Sequence, residues 1–254
     1  MTSPLALPTR KDEAWRYSDL EALARVWPDV PGKREAIDVA AGESITRIVV
    51  QDAGDVGAVT VEDYTITLGR DARAEFYILN TGGQFGRITL DVTLAEGAHF
   101  EMGGAIIGGE TQTLEIVTTV RHMEPGATSN QTVRSVLANR ATGSYLGKIL
   151  VARDAQKTDA AQSVKAMLLD RTATANAKPE LEIYADDVKC AHGATVGELD
   201  KHALFYLASR GLPPADAKRL MLKAFVAGVF DGIADEAERA RVEQAGLAAL
   251  EKLL

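Results

Sequence analysis

Between Ser44 and Tyr184 the chain alternates apolar and polar positions in short runs. "TRIVVQ", "AVTVEDYTITL", "AEFYILN", "GRITLDVTL", "QTLEIVTTVRH", "SNQTVRSVLA" and "SYLGKILVA" are rich in Val, Ile and Thr, with Gly, Asn and Asp between them. A period of two sends successive side chains to opposite faces, so each run predicts a strand with one buried face. No segment between them carries a clear helical period. This weighs against a doubly wound α/β fold, because its parallel strands need helical crossovers.

A slower rhythm lies over the strands. "EGAHFEM" (Glu96–Met102) and "EPGATSN" (Glu124–Asn130) each set Gly-Ala after one strand and before another, and "HGATVG" (His192–Gly197) repeats the pair. Glycine suits a tight turn of positive φ. A spacing of about thirty residues fits two strands per coil of a β-solenoid. A β-sandwich has a similar density of strands, and the pattern alone leaves both open.

The flanks change period. From Asp12 a helix is predicted, with Trp15, Leu20, Ala24, Val26 and Trp27 at loose helical spacing, ended by Pro28 and "PDVPGK". Near Thr195 a second helical zone opens. Thr195 with Glu198 has capping-box spacing, and Asp200 is an alternative cap. Leu204, Tyr206 and Leu207 follow, then Arg210 in a basic last turn and Gly211 at the C′ position. The next helix starts at the prolines of "LPPADAKRLMLKAFVAGVFDG". Ala217, Leu220, Met221, Ala224, Phe225 and Gly228 form its predicted apolar stripe. A final amphipathic helix, "DEAERARVEQAGLAALEKLL", has an acidic first turn. This small three-helix attachment carries a broad apolar face that leaves surface for a partner.

Composition narrows the function. The 254 residues are 46% hydrophobic and 25% charged, with a net charge of −8. That balance is an ordinary globular one and weighs against a nucleic-acid partner. One cysteine precludes an intramolecular disulfide and fits a reducing compartment. No apolar run reaches the ~18–20 residues of a membrane span. "MTSPLALPTRKDEAWRY" places its charges after its apolar residues, so no signal peptide is expected and a cytoplasmic location is.

Most catalytic signatures are absent. "GSYLGKI" (Gly143–Ile149) has too few residues between its glycines for a phosphate loop, lacks Ser or Thr after Lys148, and enters a predicted strand. Asp63, Asp91 and Glu101 could pair as glycosidase carboxylates do, but alternation reads them more simply as a solvated strand face. His99 and His122 read as packed or surface histidines. Cys190-x-His192 differs in kind. Thiolate and imidazole suit soft or borderline metals, yet two ligands are too few to close a site. The bland alternative is a small buried Cys and a hydrogen-bonded His.

The wording of "LEIYADDVKCAHGATVGELDKHALFYLASRGL" resembles the C-terminal core of the SufB/SufD family of iron–sulfur cluster assembly proteins. "RKDEAWRYSDL" resembles the entry motif of its SufD branch, and the run from "RHMEPGATSNQTV" to "TANAKPELEI" resembles the family's β-core. The SufB branch usually carries a further cysteine within the stretch that here reads "DRTATANAKPELEI". The resemblance implies a mainly β fold, a right-handed parallel β-helix between helical flanks. The division expected is a helical region at 1–40, a β-helix core at 41–194 and an ATPase-binding helical region at 195–254. It further implies a non-catalytic scaffold subunit that pairs with a SufB-like paralogue and binds a SufC-like ABC ATPase. No nucleic acid or membrane partner is implied, and a homodimer through the same surface is admitted for the isolated chain. His192 matches a SufD histidine that faces a SufB cysteine, and Cys190 a neighbouring family cysteine. A nascent Fe–S cluster would sit at that heterodimer interface, with no cofactor held stably by the single chain. Candidates for the ATPase contact are Leu204, Phe205, Tyr206, Arg210, Gly211, Leu220 and Phe225. The chain is shorter than familiar SufD proteins, with a reduced N-terminal region and fewer coils. The alternatives are a β-helical carbohydrate-active enzyme and a stand-alone metal-binding protein.

Overall fold

The computed structural model describes residues 6–52, 54–55 and 57–254. Residues 1–5, which open the segment read above for a signal peptide, lie outside the described residues.

Successive strands alternate between two parallel sheets. β1 (Arg34–Val39), β3 (Val59–Leu68), β5 (Phe85–Leu94), β7 (Thr113–His122), β9 (Thr142–Val151) and β11 (Thr174–Ile183) lie side by side in one sheet. β2 (Ser44–Gln51), β4 (Arg73–Asn80), β6 (His99–Gly108), β8 (Thr128–Leu137), β10 (Asp159–Leu168) and β12 (Lys189–Gly197) form the other. His99 pairs with Thr128 and Thr128 with Asp159, steps of 29 and 31 residues. Two strands per coil at this spacing make a β-solenoid of about six turns, and the sandwich alternative is ruled out, since its sheets are antiparallel.

Turns and core follow from the same register. Gly97 and Gly126 adopt φ of 66° and 74° at stacked corners. Each donates its N–H to the next coil, Gly97 to the Pro125 carbonyl at 3.1 Å and Gly126 to the Gln156 carbonyl at 2.9 Å. Ala98 and Ala127 tuck beneath them, fully buried. The third Gly-Ala is a different feature: Gly193 and Ala194 lie within β12, not at a corner. Inside, Ile66, Val92, Val120 and Ile149 stack in register as a buried apolar ladder.

Five strands escape the alternation pattern: β1, β6, β10, β11 and β12. β6 contains Gly103-Gly104, β10 to β12 each hold a Lys and at least two Ala, and β12 adds Gly193 and Gly197, all residues of low strand propensity. Here the neighbouring coil's ladder overrides propensity. β11 even holds Pro179, tolerated because this strand is the last of its sheet. β1 lies within the stretch expected to be helical, residues 1–40, and β12 continues past residue 194 to Gly197.

The predicted N-terminal helix is broken. A 3-10 turn at Glu13–Trp15 is followed by a short helix, α1 (Leu20–Ala24), capped by the Asp19 carboxylate on the Ala22 N–H at 2.9 Å. Trp15 turns instead to stack on Arg87, 4.0 Å from the guanidinium. At the other end α2 (Lys201–Ser209), α3 (Pro214–Ala227) and α4 (Glu236–Glu251) form the three-helix attachment. Asp200 caps α2, accepting from the His202 N–H at 2.8 Å, whereas Thr195 belongs to β12. The buried face of α3 is Ala217, Leu222 and Val226, and it continues into Val229 and Phe230. Leu220, Ala224 and Gly228 of the predicted stripe are exposed, because the helix packs on the outside of the second sheet rather than only on its neighbours. Tyr77, Leu79, Ala105, Ile107 and Val136 supply the sheet side of that contact. No helix among the described residues is long and apolar enough to cross a membrane.

Candidate functional site

β12 ends the second sheet, paired with β10 on one side and open on the other. In register, Cys190 lies beside Ala160 and His192 beside Gln162. Ala160 and Gln162 are both buried, so Cys190 and His192 continue the inner face of the solenoid at its open end. Their spacing of two is what puts both on one face. Cys190 is half-buried against Ile149, Val151, Ala155 and Ala160. Burial pushes its thiol pKa up, the Asp159 carboxylate adds to the rise, and a hydrogen bond with the Ala160 backbone opposes it. Such a thiol is protonated at neutral pH and is no primed nucleophile in the single chain. His192 is exposed. Ile183, Tyr184 and Val196, also exposed, make the same end coil apolar.

Behind this end the interior turns polar. Along one inward column Phe76 and Met102 are followed by Gln131, Gln162 and His192. Thr118 donates to Gln131 Oε1 at 2.6 Å, and the Tyr145 hydroxyl donates to the same oxygen at 3.0 Å. Gln162 Nε2 reaches the Tyr145 hydroxyl at 3.4 Å. Isolated glutamines in strands carry no motif. Their separation of one coil, Gln131 to Gln162, is the signal by which they could have been found.

The other candidates separate cleanly. Asp63 pairs with Arg34 at 3.6 Å and Asp91 pairs with Arg121, both on the first sheet, while Glu101, on the second, accepts from Asn130 at 2.8 Å. They do not converge as a carboxylate pair. His99 is hydrogen-bonded to Thr128 at 2.7 Å, and His122 is buried, its Nε2 2.9 Å from the Ser129 hydroxyl. "GSYLGKI" lies wholly within β9. Among the described residues, no three His, Cys, Asp or Glu side chains gather as a metal-binding group.

On the helical attachment, Phe205, Tyr206 and Leu220 are 76%, 56% and 50% exposed. Arg210 stacks on the Tyr206 ring at 5.3 Å, and Gly211 takes a φ of 87° just beyond the helix. Leu204 is partly buried. Phe225 packs into the helix–sheet cluster beneath Arg134, whose guanidinium lies 6.0 Å from the ring. The structure thus parts the seven ATPase-contact candidates into exposed and packed residues.

Fold and site together make this chain a parallel β-solenoid protein that ends in an open strand bearing Cys-x-His, followed by a helical attachment. Residues 34–225 match the model of the SufBD core domain of the SUF system for FeS cluster assembly. The chain belongs to the SufB/SufD family, on its SufD branch. An iron-sulfur cluster assembly SufBD family protein of Synechocystis is 33% identical over 195 residues, which cover 76% of this chain and 43% of that protein. The iron-sulfur cluster assembly protein SufD of Escherichia coli is 34% identical over 179 residues, 60% of this chain and 42% of that one. SufD of Bacillus subtilis is 28% identical over 165 residues, 64% and 38% respectively. The match thus spans under half the length of these relatives.

Proposed function

We propose that this protein is a non-catalytic scaffold subunit in the assembly of iron–sulfur clusters, paired through its open solenoid end with a SufB-like paralogue. The observation that carries the proposal is the one-sided strand β12, with Cys190 and His192 on its inner face beside exposed Ile183, Tyr184 and Val196. An unpaired strand edge invites a second chain, and pairing would cover the apolar rim. It would also supply the ligands that Cys190 and His192 lack. The cluster is cargo in this reading, held between subunits and not by the single chain.

The exposed face of α2 and α3, with Phe205, Tyr206 and Leu220, is the proposed seat of a SufC-like ATPase. α3 packs against the solenoid, so movement of a bound ATPase would be transmitted to the paired end. The reading places the protein in the cytoplasm, where its one thiol stays reduced.

Co-expression with SufB-like and SufC-like proteins tests the proposal. A stable complex is expected, and His192→Ala should keep the complex while losing cluster assembly. Failure to form any complex overturns the scaffold role. Full assembly by His192→Ala overturns the site. Stoichiometric metal in the purified single chain would favour a stand-alone metal-binding protein instead.

A further inference from the structure

Gln162 is 3% exposed, yet its Oε1 has no hydrogen-bond partner among the described residues. A buried amide oxygen left unpaired is costly, and each such atom in a native fold calls for a reason. The hydrogen bonds behind it orient the amide, with the Thr118 hydroxyl also 3.0 Å from the Tyr145 hydroxyl and Gln131 Nε2 left unpaired one coil back. The Tyr145 hydroxyl has one proton and donates it to Gln131 Oε1. Its oxygen can then accept from Gln162, so Nε2 faces Tyr145 and Oε1 is the free acceptor. Burial raises the Tyr145 pKa and keeps the phenol a neutral donor, which preserves that polarity. The inward register neighbour of Gln162 is Gln131, and the outward one is His192. Adjacent strands lie about 4.8 Å apart, a gap that an imidazole N–H and an amide oxygen span.

We infer that Gln162 is a positioning residue for His192, its Oε1 accepting one imidazole N–H so that the other ring nitrogen stays unprotonated and free at the open end. This deepens the proposed function and rests on it for the importance of His192. A histidine that ligates a soft or borderline metal must be neutral with one bare nitrogen, and such ligands donate their second N–H to an oxygen acceptor. The column Thr118–Gln131–Tyr145–Gln162 is then a support built into the last coils, and it accounts for polar residues where an apolar ladder would pack.

The test is ring-¹⁵N NMR of the histidine-labelled full chain above the imidazole titration range, with His192 assigned by loss of its signals in His192→Gln. In the wild type, the two His192 nitrogens are expected at well-separated shifts, one protonated and one bare, as a single tautomer requires. Gln162→Leu should draw them together toward a tautomer mixture. Gln162→Glu, which keeps an acceptor, should hold them apart. Averaged shifts in the wild type, or the same separation in Gln162→Leu, overturn the assignment. If Gln162→Leu does not fold, Gln162→Ala, which also removes the acceptor, is read in its place. Neither paralogue nor iron enters the measurement. A negative result therefore leaves the assembly role standing, and loss of that role leaves the tautomer result standing.

Discussion

Arg87 and Glu115 face each other in register on β5 and β7, 2.6 Å apart and sealed from solvent beneath the N-terminal segment. Arg87 also donates to the Ala14 carbonyl at 2.8 Å, and the Ser18 hydroxyl donates to Glu115 at 2.9 Å. Burial pushes the Glu115 pKa up, with Arg87 and Ser18 pulling it back. The pair therefore anchors residues 14–18 on the first sheet, though neither partner is comfortable alone.

Removing one partner should show this. Arg87→Met leaves a buried carboxylate unpaired and is expected to cost about 3–5 kcal/mol. Arg87→Met combined with Glu115→Leu should recover most of that loss, because no uncompensated charge remains. Urea denaturation measures both. A double variant as unstable as the single one would show that the anchoring contacts, not the charges, dominate.

That anchor illustrates what could be read in the sequence. Alternation revealed seven of the strands, and the spacing of Gly97 and Gly126 suggested a coil, because turn chemistry and face burial are local. β10 to β12 were hidden because their partner strands, not their own side chains, hold them extended. The N-terminal helix was overestimated for the same reason: Trp15 has a better contact on Arg87 than on its own helix. At the site, Cys190 and His192 were visible as a two-residue spacing. Gln162, Tyr145, Thr118 and Gln131 were not, since residues scattered over four strands meet only through coil register.

His122 sets an acid limit. It is buried, and burial pushes its pKa from 6.5 down to about 4, a backbone hydrogen bond with Ala127 opposing. The folded ring stays neutral while the unfolded one protonates. The associated stability is fully present above pH 6.5 and is lost as pH falls toward 4, at most about 3 kcal/mol. His122→Gln should flatten this part of the profile relative to wild type in denaturation at a series of pH values. Parallel profiles for the two would show that His122 does not set the slope.

Gly103 controls how the helices dock. A Cβ there would lie 1.9 Å from the Val229 carbonyl oxygen, just after α3. Gly103→Ala must push the two apart, at a cost of roughly 1–3 kcal/mol. Hydrogen exchange is expected to quicken in α3 and α4 while the strands of the solenoid keep their protection. Uniform change across the chain would mean that the attachment and the solenoid open together.

Phe205 and Phe230 separate partner binding from folding on that same attachment. Phe230 is fully buried in the helix–sheet cluster, so Phe230→Ala should cost about 3–5 kcal/mol in denaturation. Phe205 stands out from α2, and Phe205→Ala should alter stability by no more than about 0.5 kcal/mol. If α2 is where the ATPase sits, the same change should weaken binding by about 2 kcal/mol, some thirtyfold, as loss of an aromatic anchor does. Calorimetry with a SufC-like protein reads the affinity, and thermal melting reads the fold. Unchanged affinity with unchanged melting would move the contact away from α2. Nothing in the packing of the single chain requires an aromatic ring at this position, so a loss of binding would give Phe205 its reason.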